Sequence, residues 1–178
     1  MSINSMAVFC GSQSGNHEIF TEHASAIGKI LARNKIKIVY GGADRGLMAS
    51  VANAGLEEGG TVIGILPELL NEIEILHKGL SELHIVDTMH SRKLLLFSKC
   101  DAAIILPGGF GTLDELFEIL TWNQLKIHEK KIFIVNTNGF YDHLIAHIHK
   151  MHESKFLYFH PDEIITVINE PKEIEKYL

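Results

Sequence analysis

The chain has 178 residues, a net charge of −6 and 46% apolar residues, which is the composition of a soluble globular protein with a sizeable core. This acidic balance argues against nucleic acid as the main partner, and no apolar run approaches the ~20 residues that span a membrane. Met1 to Met6 lack the pattern of a secretory signal, and Cys10 and Cys100 sit beside apolar runs like buried free thiols in a reducing compartment. We therefore expect one domain over residues 1–178, in the cytoplasm.

Short apolar runs alternate with segments of helical periodicity along the whole chain. The runs predict strands at Met6–Cys10, Ile36–Tyr40, Thr61–Leu66, Leu83–Val86, Ala102–Leu106, Ile132–Val135 and Glu163–Ile168. The periodic segments predict helices at His17–Arg33, Leu47–Leu56, His90–Lys99, a segment after Gly111, Tyr141–Glu153 and from Pro171 onward. Residues 67–81 are expected to be a loop with some helix. This alternation predicts a Rossmann-like α/β fold, a doubly wound parallel sheet with helices on both faces.

The most informative stretch runs from Ala102 to Glu115. An unbroken apolar run ends at Pro107, the glycines of Gly108–Gly111 follow, and helical spacing then begins. A strand that turns on glycines into a helix directs free backbone N–H groups and a positive dipole end at one point, which suits a phosphate. The alternative is that these glycines only permit a tight connection between strand and helix.

Glycine turns also follow the strands that end at Cys10 and Tyr40. Ligands of open α/β sheets bind outside the carboxyl ends of the strands, so three such turns predict a wide mouth there. These turns are not Walker loops, since no Gly-Lys-Ser/Thr follows the glycines. The Gly-x-Gly-x-x-Gly spacing is absent after the first strand, so dinucleotide binding is poorly supported.

Arg92 and Lys93 open a helix whose next four residues are apolar, so we expect that helix to be largely buried. Two cations in a first helical turn have the wrong sign for the dipole and call for a nearby anion. Asp87 would supply one locally. The functional interpretation is that both side chains face the crevice, with the planar fork of Arg92 suited to gripping an oxyanion.

Glu115 also has two interpretations. The run from Thr112 to Glu115 fits a capping box, in which the Thr and Glu side chains bond first-turn N–H groups reciprocally. Alternatively, Glu115 lies beside the sugar of a bound nucleotide, where a carboxylate would orient water or stabilise positive charge on a ribose carbon.

Four histidines share one predicted helix, and three apolar residues mark the helix after Gly111. A metal site on His143, His147, His149 and His152 is conceivable but less well supported than a solvated helix face. We therefore predict no metal. Phe117, Ile119 and Trp122 are assigned to the core or to a subunit interface.

Residues 107–115, Pro-Gly-Gly-Phe-Gly-Thr-Leu-Asp-Glu, match the PGGxGTxxE signature of the LOG (Lonely Guy) family of cytokinin riboside 5′-monophosphate phosphoribohydrolases, often labelled lysine decarboxylase-like. Further matches follow the family order over nearly the whole chain: Cys10-Gly11-Ser12 with Gly15, Tyr40-Gly41-Gly42 with Gly46-Leu47-Met48, Met89 to Lys93, and Thr121 to Leu125. On these motifs the chain resembles a LOG-family member.

The resemblance implies a homodimeric Rossmann-like enzyme that cleaves the N-glycosidic bond of a nucleoside 5′-monophosphate, without a cofactor. It places the catalytic pair on Arg92 and Glu115. It places substrate binding on Arg92, Lys93, Gly108, Gly109, Phe110, Gly111, Thr112, Leu113, Asp114, Glu115 and Thr121. His90 or solvent would protonate the leaving base. Ala43 and Ala49 stand where family members commonly have glycine, so we expect a narrower pocket or a shifted base preference. The alternative function is a non-catalytic nucleotide-binding or carrier protein on the same fold.

Overall fold

A computed structural model describes residues 3–71 and 75–178 of the chain. Its strands are β1 Ser5–Phe9, β2 Lys37–Tyr40, β3 Val62–Pro67, β4 Glu82–Val86, β5 Ala102–Ile105, β6 Lys131–Val135 and β7 Ile165–Ile168. Its α-helices are α1 Glu18–Arg33, α2 Gly46–Glu57, α3 Glu68–Asn71, α4 Met89–Ser98, α5 Phe110–Gln124 and α6 Asp142–Glu153. Three 3-10 helices cover Thr137–Gly139, Pro161–Glu163 and Pro171–Tyr177.

All seven strands form one parallel sheet in the order β4-β3-β2-β1-β5-β6-β7. The chain first adds strands on one side of β1 and then, from β5 onward, on the other. The strand order therefore reverses between β1 and β5, where Met6 pairs with Ala102 and Phe9 with Ile105. This doubly wound arrangement confirms the predicted Rossmann-like fold, and the reversal is the point at which such sheets bind ligands.

Apolar side chains from alternating strand positions form a core on each face of the sheet. Buried residues of α1 and α2 pack with Val8, Ile38 and Ile104 on one face. Residues of α4, α5 and α6 pack with Phe9 and Ile105 on the other. Continuous apolar strands are expected of a parallel sheet covered on both faces.

Several predicted boundaries and one burial assignment differ from the structure. The chain after Pro171 forms a 3-10 helix, and the last strand begins at Ile165 because Pro161–Glu163 forms a 3-10 turn. Helix α4 is not largely buried: only Leu96 and Phe97 are, and Leu94 is 43% exposed. A helix on a sheet surface buries one stripe, so four consecutive apolar residues cannot all point inward.

The prediction for residues 67–81 falls partly outside the described residues, at 72–74. Within the described part, α3 supplies the helix, and Leu76 forms an isolated bridge with Ala43.

Candidate active site

A cavity of about 280 Å³ opens at the carboxyl ends of β1 and β5, where the strand order reverses. All three predicted glycine turns contribute to it, through Gly11, Gly41 and the segment after Gly108. The three turns therefore meet at one cavity, at the end of the sheet where a ligand site was expected. The lining residues are Val8, Phe9, Cys10, Gly11, Ser12, Gly41, Met48, Met89, Arg92, Gly109, Phe110, Gly111, Thr112 and Glu115.

The glycine turn leaves the start of α5 uncapped. Gly109 is the N-cap residue, and it has no side chain to bond the first-turn N–H groups. The first bond of the helix runs from the Leu113 N–H to the Gly109 carbonyl, so the N–H groups of Phe110, Gly111 and Thr112 have no intrahelical acceptor. These three residues line the cavity, and their free donors give it the positive end of a 15-residue helix.

The alternative capping box from Thr112 to Glu115 is wrong. Helix α5 begins two residues before Thr112, so Thr112 is already inside its first turn. Glu115 bonds Arg92 instead of a first-turn N–H. Both side chains are thereby left to line the cavity.

Arg92 reaches the cavity from the first turn of α4, and each end of its guanidinium has a defined neighbour. Nη1 lies 3.0 Å from Glu115 Oε1, and Nε donates to the Ile65 carbonyl at 3.2 Å. Nη2 lies against Gly41, where an added Cβ would come within 2.5 Å of it. The planar fork is therefore fixed by β3, α5 and a glycine turn, with Nη2 unbonded to the described residues and available to an anion.

Lys93 projects away from the cavity and pairs with two acids of α5. Its Nζ lies 3.1 Å from Asp114 Oδ2 and 2.7 Å from Glu118 Oε2. The anions that offset the two cations of α4 thus come from α5, and Asp87 is not their partner. Lys93 joins α4 to α5 directly beside the Arg92–Glu115 pair.

Glu115 is only 7% exposed, and burial raises the pKa of its carboxyl to about 7. Arg92 and Lys93 act in the opposite direction, while Asp114 adds to the increase. Burial disfavours the charged form more strongly than one guanidinium restores it. Glu115 therefore changes charge near neutral pH, as a general acid or base must.

The amino-acid sequence is similar to a known protein family and to named relatives. The family described as "Possible lysine decarboxylase" matches residues 48–178. A cytokinin riboside 5′-monophosphate phosphoribohydrolase of Rhodococcoides fascians is 46% identical over 145 residues, 81% of this chain and 73% of that protein. A probable cytokinin riboside 5′-monophosphate phosphoribohydrolase of Arabidopsis thaliana is 42% identical over 153 residues, 86% of this chain and 76% of that protein.

The chain belongs to the LOG family. Among solved structures, a molybdenum cofactor carrier protein from Chlamydomonas reinhardtii superposes with a TM-score of 0.74, covering 99% of this chain and 96% of that one. At 16% identity this likeness concerns the fold alone.

Most, but not all, of the residues that the LOG signature implies lie at the cavity. Arg92, Glu115 and the run from Gly109 to Thr112 line it. Gly108 lies behind them, where an added Cβ would come 2.7 Å from Thr112 Cβ and 2.9 Å from the Gly11 nitrogen. This lack of space explains a glycine at position 108 by packing.

Four residues implied by the LOG family lie elsewhere. Leu113 packs on the core, and Asp114 and Lys93 pair with each other. Thr121 is exposed on α5, where its hydroxyl donates to the Phe117 carbonyl at 2.6 Å. Their roles in substrate binding stay predictions.

Three further residues considered earlier also lie outside the cavity lining: His90, Ala43 and Ala49. His90 is exposed, and Ala43 is fully buried. The methyl groups of Ala43 and Ala49 therefore do not line this cavity and do not reduce its volume directly.

Val8 and Phe9 line the cavity but were not identified from the sequence, where no local pattern distinguishes them from core residues; Met48 was noted only as part of a LOG-family motif. They enter because β1 ends at the site and α2 begins beside it. The signal that was available is topological, since the end of the strand at the reversal point is where such sheets bind ligands.

Phe117, Ile119 and Trp122 of α5 do not line the cavity. Ile119 is buried, Trp122 packs on the core, and Phe117 is 38% exposed. Within residues 3–71 and 75–178, no group of three or more His, Cys, Asp or Glu is arranged to hold a metal ion. Over the same residues, no helix is both long and apolar enough to cross a membrane. Cys10 and Cys100 are free and buried.

Proposed function

We propose that this LOG-family chain hydrolyses the N-glycosidic bond of a nucleoside 5′-monophosphate, releasing the free base and ribose 5-phosphate. The substrate class is a cytokinin riboside monophosphate, AMP or both. One observation carries the proposal: Arg92 and Glu115, bonded at 3.0 Å, share a cavity with an uncapped helix start at the reversal point of the sheet. The names of the relatives from Rhodococcoides fascians and Arabidopsis thaliana support it.

The phosphate is held at the start of α5. The free N–H groups of Phe110, Gly111 and Thr112 point at one end of the cavity, and a dianion there is stabilised by the helix dipole. The Thr112 hydroxyl forms no hydrogen bond with the described residues and adds a fourth donor. Nη2 of Arg92 adds a further hydrogen-bond donor, on a group with a fixed positive charge. Because the guanidinium stays protonated at neutral pH, Arg92 does not act as a general acid.

Glu115 acts on the sugar. Cleavage of the N-glycosidic bond builds positive charge on the ribose carbon, and an adjacent carboxylate stabilises that charge. Oε1 is occupied by Arg92, so Oε2 is the oxygen available to the sugar and to the attacking water. The water oxygen bonds the ribose carbon and releases one proton to solvent, while the leaving base takes the electron pair of the broken N-glycosidic bond and takes up one proton from solvent. Water is the only co-reactant, and we propose that no metal or organic cofactor takes part.

The test is incubation of the protein with AMP and with isopentenyladenosine monophosphate, with the release of free base measured by chromatography. Wild-type protein should release base from at least one of them, and Glu115→Gln should bind the nucleotide and release none. Folded wild-type protein that releases base from neither would refute hydrolysis of these substrates. Binding of many nucleotides without turnover would favour the alternative, a carrier on the same fold.

We propose further that the enzyme is a cytoplasmic homodimer. Helix α5 and the residue after it carry exposed apolar side chains, Phe110 at 94%, Phe117 at 38% and Leu125 at 61%, and Leu94 of α4 is 43% exposed. A second copy covering these side chains would remove that apolar surface from water. Sedimentation equilibrium of wild-type protein and of Leu125→Asp tests this, with a monomeric wild type as the contrary result. Neither a nucleic acid nor a membrane is expected as a partner.

A further inference from the structure

One buried hydroxyl contacts the phosphate-binding turn from outside the cavity. Tyr141, the residue before α6, is 2% exposed, and its hydroxyl donates to the Leu106 carbonyl at 2.8 Å. Leu106 is the residue between β5 and Pro107, so this bond fixes the chain where the glycine turn begins. Burial strongly raises the pKa of Tyr141, and the Gly108 backbone acts in the opposite direction.

The tyrosine is itself held rigidly from the end of β6. The Tyr141 N–H donates to Asn136 Oδ1 at 2.8 Å, and Asn136 Nδ2 donates to Asp142 Oδ1 at 2.7 Å. The Asn136 N–H bonds the Ile168 carbonyl of β7 at 2.8 Å, which ties this segment to the sheet. A continuous path of hydrogen bonds therefore runs from β7 through Asn136 and Tyr141 to the turn before α5.

We propose that Tyr141 is a positioning residue for phosphate recognition: its hydroxyl sets the path of Leu106 to Gly108 and thereby the direction of the free N–H groups at the start of α5. Tyr141 does not line the substrate cavity, so it acts through the turn and does not touch the ligand. This inference rests on the proposed function, because it assigns the turn a phosphate to recognise.

The variant that isolates the hydroxyl is Tyr141→Phe, which keeps the ring in place. The matched control is Tyr40→Phe at the end of β2. Tyr40 is fully buried as well, but its hydroxyl has no hydrogen-bond partner among the described residues. Both variants delete one buried hydroxyl next to a glycine turn, and only Tyr141→Phe deletes a bond to the β5–α5 connection.

Two measurements are made on each folded variant, well below its melting temperature. The first is the KM and kcat for AMP, and the second is the Kd for ribose 5-phosphate by calorimetry, which needs no turnover. Losing one bond to the turn should raise KM and Kd about tenfold in Tyr141→Phe and leave kcat within about threefold. Tyr40→Phe should match wild type in all three.

The outcomes separate this inference from the proposed function. If wild type releases no base but binds ribose 5-phosphate, and Tyr141→Phe weakens that binding, hydrolysis is refuted and the role of Tyr141 stands. If wild type is active and Tyr141→Phe retains its KM and Kd, or loses only kcat, the inference is overturned. Wild-type protein that neither releases base from AMP nor binds ribose 5-phosphate overturns both.

Discussion

Replacing Gly111 by alanine has opposite expected effects on the stability of the protein and on its affinity for a phosphorylated ligand. Gly111 is the second residue of α5, and an added Cβ would meet no protein atom within 4 Å. Alanine in a helix is favoured over glycine by about 0.5–1 kcal/mol, so Gly111→Ala should raise the melting temperature by about 1–4 °C. Gly111 also lines the cavity, and the new methyl group would extend into the space where the phosphate approaches the backbone. A displacement of about 1 Å there costs about a hundredfold in turnover.

The comparison variant is Gly108→Ala in the same turn. Its Cβ would come 2.7 Å from Thr112 Cβ and 2.9 Å from the Gly11 nitrogen, so overpacking should destabilise the protein by about 1–3 kcal/mol. Thermal melts followed by circular dichroism and calorimetric titration with ribose 5-phosphate measure both effects. A Gly111→Ala protein that melts like wild type or higher and still binds ribose 5-phosphate with wild-type affinity would show that no phosphate sits against this backbone.

Three further predictions follow from the charges at the site. Because Glu115 must be ionised and burial raises its pKa to about 7, the rate should rise about tenfold from pH 6 to pH 8, and a flat profile would exclude Glu115 as the titrating group. Because the pKa of Glu115 is raised on folding, the folded state favours the neutral carboxyl. The resulting contribution to the free energy of unfolding is fully present below pH 4.5 and is lost as the pH rises through about 7. Glu115→Gln stays neutral, so urea melts should show it gaining about 3 kcal/mol over wild type between pH 4.5 and pH 8, and equal stabilities at both pH values would contradict the burial argument. Arg92→Lys keeps the charge but loses the fork that bonds Glu115 and Ile65 at once, so kcat/KM should fall about a hundredfold while the protein stays folded, as circular dichroism would report.

The strands and the glycine turn after β5 were predictable because their signals are local. A short apolar run followed by proline and glycine, such as Ala102–Leu106, favours a strand buried on both faces, and the glycines after it indicate the turn. The capping-box interpretation placed the start of α5 too late in the chain. Thr112 and Glu115 have capping-box spacing, but the N-cap residue is Gly109 and the helix begins at Phe110.

The partners of the charged residues were not predictable from local pattern. Asp87 is the near anion in sequence, whereas Arg92 and Lys93 pair with acids of α5, more than 20 residues away. Tyr141 carried no signal at all, since one tyrosine before a helix is ordinary and its bond to Leu106 exists only once β5 and β6 are paired. Long-range pairing of this kind is a property of the assembled sheet.

The reversal of strand order between β1 and β5 divides the two central side chains between different stretches of polypeptide. Arg92 belongs to the stretch that ends with α4, and Glu115 to the one that starts with β5. If the chain is divided between α4 and β5, one peptide carries Arg92 and the other carries Glu115. Neither peptide alone would be active. Recovery of hydrolysis on mixing them would report their reassociation directly, which makes this scaffold a natural starting point for a split-enzyme sensor.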